Sequence, residues 1–247
     1  MPTILQEVAK RMDSMPARQV ANIFWAAAAM NSMNGQDFAN TIWACAVLSR
    51  AVPFLVPSIP KLLQAAVAKI DGMSSLNIAN IVWAVGETRQ AGAESDEHLR
   101  RLMSKAATCL QDFTSQQMAN MCWGFASCSM GDPDFMTKVA KEVVRVAPGM
   151  SDKAADWDLP EITCSFAKLG MRHRKMLSAV ALRVSPLLPR LPDWRLSALK
   201  WSYDELDAAG LFLDFRRRLQ AEVERRGISP AQVESSPLGP KFWRRKP

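Results

Sequence analysis

The chain has 247 residues, enough for one or two ordinary domains or for one extended array. Hydrophobic residues make up 49% of it and charged residues 22%, which excludes an intrinsically disordered chain. The net charge of +7 permits an anionic partner without naming one. A membrane span needs an uninterrupted apolar run of roughly 18 residues. The most apolar stretch, 41–60, is broken by Arg50, Pro53 and Pro57. Ala, Leu and Met are plentiful and there is a single Tyr, a balance that favours helix over sheet.

In chain order, residues 3–12 read as a short amphipathic helix, with Ile4, Leu5, Val8 and Met12 on one face. No secretory apolar segment opens the chain, and this helix is expected to join the array that follows, which would suit a chain beginning inside a longer one. Ser14 and Pro16 then start a helix that carries the phrase QVANIFW (Gln19 to Trp25). The phrase returns as DFANTIW (Asp37 to Trp43), NIANIVW (Asn77 to Trp83) and QMANMCW (Gln117 to Trp123). Such internal repetition is the signature of stacked helical units. The first two Trp residues stand only 18 apart, so these two helices are expected to form a tight hairpin; the next two spacings are 40 each.

Between phrases lies a second helix type, expected over Pro57 to Ile70, Ser95 to Leu110 and Asp132 to Val146. Gly131, Asp132 and Pro133 supply a C′ glycine, an N-cap and an N1 proline in turn. Thr114 with Gln117 forms a capping box, and Ser95, Asp96 and Glu97 place acid at a helix N-terminus. The frame continues in degenerate form over Asp158 to Gly170, where Asp158 and Glu161 suggest another capping box, and over Pro192 to Trp201. Arg172 to Leu188 and Leu211 to Arg226 are the matching second helices, ended by Gly227. Residues 1–227 are thus expected to form an all-α solenoid of about twelve helices with no sheet. Residues 228–247, with Pro230, Pro237, Pro240 and Pro247, read as a disordered basic tail.

On a helical wheel the phrase divides into three stripes. Residues five, two and one before the Trp (Ile78, Ile81, Val82; Met118, Met121, Cys122) face neighbouring helices. The Ala, the Trp and a small residue three further on (Ala46, Gly86, Ala126) make a packing stripe, so Trp25, Trp43, Trp83 and Trp123 are expected in the core. A narrow polar stripe holds the Asn (Asn22, Asn40, Asn80, Asn120) and the residue three before it (Gln19, Asp37, Asn77, Gln117, then Glu161 and Arg195). Two roles stand open for the Asn: bridging backbone groups between stacked helices, or contacting a ligand. The varied position before it has the form expected of a residue that reads an extended polymer.

The quoted phrases, extended to QVANIFWAAA, FANTIWACAVL, IANIVWAVG and MANMCWGFAS, resemble the octotricopeptide and heptatricopeptide helical repeats. Those repeats occur in organellar RNA-binding proteins of algae and apicomplexans and in the helical region of FAST-kinase-domain proteins. The resemblance covers most of residues 14–203. It implies binding of single-stranded RNA in mitochondrial or chloroplast RNA processing, stability or translation, within a ribonucleoprotein complex and away from membranes. Relatives often end in a small nuclease-like RAP domain, and residues 204–247 carry no such segment. The candidate RNA contacts are Gln19, Asn22, Asp37, Asn40, Asn77, Asn80, Gln117 and Asn120, with Arg172, Arg174 and Lys175 for phosphates. The rival expectation is an armadillo- or HEAT-like scaffold whose Asn ladder holds an extended peptide. A groove lined by Arg and Lys would favour RNA, and an acidic or apolar one a peptide.

Charge is uneven along the chain, with a net of +1 through residue 123 and +6 beyond it. The excess gathers at Arg172-His173-Arg174-Lys175, Arg216-Arg217-Arg218 and Arg225-Arg226. His98 and His173 have no metal-ligand spacing, and no phosphate loop or nucleophile grouping occurs, so neither an enzyme nor a cofactor is expected. The five Cys sit singly in apolar contexts, as reduced and buried thiols do.

Overall fold

The structure is a computed structural model that describes residues 32–49, 51–88, 93–207 and 209–229. The first phrase (Gln19, Asn22, Trp25), the expected N-terminal helix and the Pro-rich segment from Pro230 onward lie outside the described residues. Within them every element is helical and no strand occurs. Ten α-helices follow one another: α1 (Gly35–Leu48), α2 (Ile59–Val67), α3 (Ser75–Thr88), α4 (Ala93–Thr108), α5 (Ser115–Ser127), α6 (Pro133–Val146), α7 (Asp152–Lys168), α8 (Arg174–Val184), α9 (Asp193–Leu206) and α10 (Leu213–Arg225). The expected twelve include two that would lie before residue 32. None of the ten is long and apolar enough to cross a membrane.

The phrase helices α1, α3, α5 and α7 pack on one another in order, and α9 packs on α7. The intervening helices α2, α4, α6 and α8 form a second row beside them. The expected apolar stripe is the seam: Ile78, Ile81, Val82, Met118, Met121 and Cys122 are fully buried. Burying each such side chain contributes roughly 1.5–3 kcal/mol. The small-residue expectation also holds at α3 and α5. A Cβ on Gly86 would lie 2.7 Å from the Gly124 Cα, and one on Gly124 would lie 2.4 Å from the Val82 carbonyl oxygen. These two helices touch backbone to backbone.

Helix starts follow local chemistry, with three departures. Thr114 caps α5 as expected, and Asp132 caps α6 by accepting from the Phe135 N–H at 2.7 Å. The left-handed residue ending α5 is Ser129 (φ 56°), however, and not Gly131, which leaves the turn in ordinary conformation. α4 begins at Ala93, so Ser95 is a buried residue inside its first turn instead of the start of the helix. α7 begins six residues before the expected Asp158, capped by Ser151, and runs straight through Pro160. That proline has no N–H to offer the Asp156 carbonyl four residues back. The missing donor is replaced by Arg195 of α9, whose Nη1 donates to the Asp156 carbonyl oxygen at 2.8 Å.

Polar links tie successive units at one end of the phrase helices. Ser75 Oγ donates to the Asp112 carbonyl at 3.1 Å, and Ser115 Oγ to Asp158 Oδ2 at 2.6 Å. Asp158 and Glu161, read from sequence as a cap, are buried within α7. The far end closes on Asp207, which is fully buried and accepts from the N–H groups of Leu211 (2.8 Å) and Phe212 (2.9 Å). Gly227 ends α10 at φ 65°, and the packed region continues one residue further to Ile228. All five Cys are unbridged; Cys45, Cys122 and Cys164 are buried, whereas Cys109 and Cys128 are only partly so. Burial pushes the Cys164 thiol up to about 12.

Beside that end, Arg225 and then Arg226 hold the Glu222 carboxyl down at about 2. A carboxyl lowered on folding stabilises the fold above its unfolded value near 4.3, and the contribution fades as pH falls toward 2. The melting-temperature gap between the protein and its Glu222→Gln variant is therefore expected to shrink between pH 6 and pH 2.5. A gap that stays constant over this range rules out the ion pair as its source.

Candidate binding face

Each phrase helix turns one stripe toward the same outer face, which keeps the Asn of the expected ligand-reading stripe without the residue three before it. The stripe is exposed on α1, partly exposed on α3 and interrupted on α5 by the buried Trp123. On α1 it consists of Gln36, Asn40, Trp43 and Val47; on α3, of Leu76, Asn80, Trp83 and Glu87; on α5, of Gln116, Asn120, Trp123 and Ser127. At 100° per residue these four positions fall within an arc of about 60°. α1 packs on α3 and α3 on α5, and the last two meet at the equivalent residues Gly86 and Gly124 and at Trp83 and Trp123, which sets their stripes side by side.

The Asn residues occupy the middle of this face. Asn40 is exposed, and Asn80 and Asn120 are partly so. None of the three side-chain amides hydrogen-bonds to a described residue, so among the described helices no bridge runs through them. Three residues on, the Trp rings are graded. Trp43 is 44% exposed, Trp83 is half-buried, and Trp123 is 2% exposed beneath Cys164 of α7. The uniform core role expected for them thus holds for Trp123 and fails for Trp43. Trp83 and Trp123 lie 6.1 Å apart, ring centre to ring centre, at 31°.

The varied position three before each Asn does a different job. It is N3 of its helix, and its side chain turns back to the N-cap backbone. The Asn34 N–H donates to Asp37 Oδ2 at 2.9 Å, the Ser74 N–H to Asn77 Oδ1 at 3.1 Å, and the Thr114 N–H to Gln117 Oε1 at 3.0 Å. The N-cap side chains return the bond to the N3 N–H in all three. This is the reciprocal capping box, in which any short acceptor serves. The variation among Asp, Asn and Gln at this position therefore needs no ligand to explain it. In α9 the same register holds Arg195, which is 1% exposed and lies between the rings of Trp157 (3.3 Å to the ring centre) and Trp194 (4.6 Å). Removing the Thr114 hydroxyl (Thr114→Val) is expected to destabilise the protein by about 1 kcal/mol. Thermal melting checks this.

The charged candidates lie elsewhere. α1, α3 and α5 contain no Lys or Arg, and carry Asp37 and Glu87. Arg172 stands 3.6 Å from the buried Asp207, and Arg174 and Lys175 are exposed at the start of α8, in the other row. The other basic clusters are largely occupied. Arg216 pairs with Asp204 (2.7 Å), Arg217 with Asp214 (3.5 Å), Arg225 with Glu222 (2.5 Å) and Arg226 with Asp193 (2.9 Å). The cations thus stabilise the C-terminal units and do not gather beside the Asn row. From α7 onward the Asn register holds Cys164 and Ala198, both fully buried, so the amide row stops at α5. Among the described residues no three His, Cys, Asp or Glu come together as a metal site.

Two further polar groups adjoin this face and were not singled out by sequence reading. Gln36 and Lys69 line a groove between the N-terminal ends of α1 and α3, together with Asn34, Ser74 and Asn77. The signal available in sequence was the spacing of Gln36 and Asn40, four apart and hence on one helix face. No protein-family model matches the chain, and no curated protein matches it.

Proposed function

We propose that the chain is an α-solenoid that binds single-stranded RNA along the exposed face of α1, α3 and α5, acting in mitochondrial or chloroplast RNA processing, stability or translation. The observation that carries this is the row of amides, Asn40, Asn80 and Asn120, that hydrogen-bond to no described residue, with the exposed Trp43 and the half-buried Trp83 one turn from the first two. An amide offers a donor and an acceptor to a base edge, and the accessible rings of Trp43 and Trp83 offer a stacking surface. Stacking contributes about 1–3 kcal/mol per base. Packed helices lie about 8–10 Å apart. That is well over the 3.4 Å between stacked bases of one strand. Only a splayed single strand can place one base at each rung. The resemblance of the repeated phrase to organellar RNA-binding repeats supports the same reading and alone suggests the organelle.

A second reading is favoured by one observation: these three helices carry two acidic side chains, Asp37 and Glu87, and no basic ones. On that reading the Asn row holds the backbone of an extended peptide, in the manner of armadillo arrays, and no nucleic acid is involved.

Filter binding with single-stranded and duplex RNA, beside selection from a displayed peptide library, separates the two. The Asn80→Ala/Asn120→Ala variant is expected to bind single-stranded RNA at least ten-fold more weakly, at about 1 kcal/mol per lost hydrogen bond, with melting unchanged. Arg174→Gln/Lys175→Gln is expected to leave affinity within two-fold and the salt slope within one unit, because α8 lies outside the face. No affinity for single-stranded RNA at low salt sinks the RNA reading, and peptide enrichment lost on the same Asn substitutions establishes the other.

A further inference from the structure

We infer that position N2, one turn before each Asn, sets base discrimination on this face: Gln36 and Gln116 select a base, and Leu76 leaves its rung open. The inference rests on the RNA reading and specifies how that face would select sequence. Three observations carry it. Position N3 is committed to the capping boxes, so its side chain is turned toward backbone. Position N2, one residue earlier, is exposed on all three helices; Leu76 is 49% exposed although apolar. It shares the solvent arc with the Asn, four residues on, whereas N3 lies about 100° away from N2. The amides of Gln36 and Gln116 make no hydrogen bond to a described residue, and Gln36 borders the groove that also contains Lys69. Along the face the Asn is constant and N2 varies, which is the division of labour between a shared contact and a selective one.

The chemistry at N2 differs between rungs. A glutamine amide can donate to and accept from one base edge together, as Gln does with adenine. Leu76 offers only apolar contact and cannot reward one edge over another. The bound strand should therefore be selected at the α1 and α5 rungs and tolerated freely at the α3 rung between them.

The test is selection from a randomised single-stranded RNA library with the full chain, its Leu76→Gln and Gln116→Leu variants, and Gln117→Glu. The unsubstituted chain should yield two constrained positions flanking an unconstrained one. Leu76→Gln should constrain the middle position with a preference of roughly five-fold or more, and Gln116→Leu should release one flank. Gln117→Glu should leave the consensus as it was. If Leu76→Gln and Gln116→Leu return the original consensus, or if Gln117→Glu shifts it, N2 is not the selective position while RNA binding stands. If the unsubstituted chain enriches no RNA, both readings fall together. All three altered side chains are at least partly solvent-exposed, and melting temperatures within a few degrees of one another would exclude misfolding as the cause.

Discussion

Gly124→Ala is expected to lower the melting temperature by roughly 4–8 °C, at about 2–4 °C per kcal/mol for a chain of this size. The sign is not obvious, because Ala favours a helix over Gly by about 1 kcal/mol. Packing decides it. The added Cβ would sit 2.4 Å from the Val82 carbonyl oxygen and 2.6 Å from its carbon, and neither can rotate away. The two helices must separate, breaking the seam of Val82 and Cys122 along their length. Overpacking of this kind costs about 3 kcal/mol when the obstacle is backbone, which outweighs the gain in propensity. Gly149→Ala is the control: nothing lies within 4 Å of its Cβ direction, and the shift should stay within about 2 °C. A stabilised Gly124→Ala protein would mean that α3 and α5 do not meet at this point.

The second large effect is expected at Arg195. Replacing it with Met should destabilise the protein by about 3 kcal/mol, since a buried charged donor to the Asp156 carbonyl is lost along with stacking on Trp157 and Trp194. Arg195→Lys should recover little, because an ammonium cannot lie close against the Trp157 ring as a flat guanidinium does. The mechanism makes a narrower claim that Pro160 can test. With Pro160→Ala the helix regains an N–H for the Asp156 carbonyl, so the loss on Arg195→Met should shrink by about 1 kcal/mol in that background. Denaturant melts of the four proteins measure this coupling. Additive effects would show that Arg195 does not serve the carbonyl that the proline leaves open.

What the sequence revealed and what it hid divide by range. The buried seam was legible because Ile78, Ile81 and Val82 repeat at helical spacing. Two of the capping signals, Thr114 and Asp132, act within four residues and were read correctly. Failures arose where a partner lies far along the chain. Arg226 meets Asp193 across 33 residues and reads from sequence as part of a free basic cluster, and Arg195 meets Asp156 across 39 and reads as a varied position of the polar stripe. The exposure of Trp43 against the burial of Trp123 depends on what the following helix places beside each ring. Identical phrases cannot carry that information. Position N3 is a different case. A capping box accepts several side chains, so the variation at Asp37, Asn77 and Gln117 has a local cause that sequence alone does not separate from selectivity.

The packing of each helix on near neighbours in sequence has a kinetic side. With few contacts between distant segments, little loop entropy must be lost before structure forms, so the chain is expected to fold quickly by spreading from one nucleus. The backbone contact at Gly86 and Gly124 and the links through Ser75 and Ser115 place that nucleus at α3, α5 and α7. Amide hydrogens there should exchange with solvent most slowly, and protection should fall away toward α1 and α10.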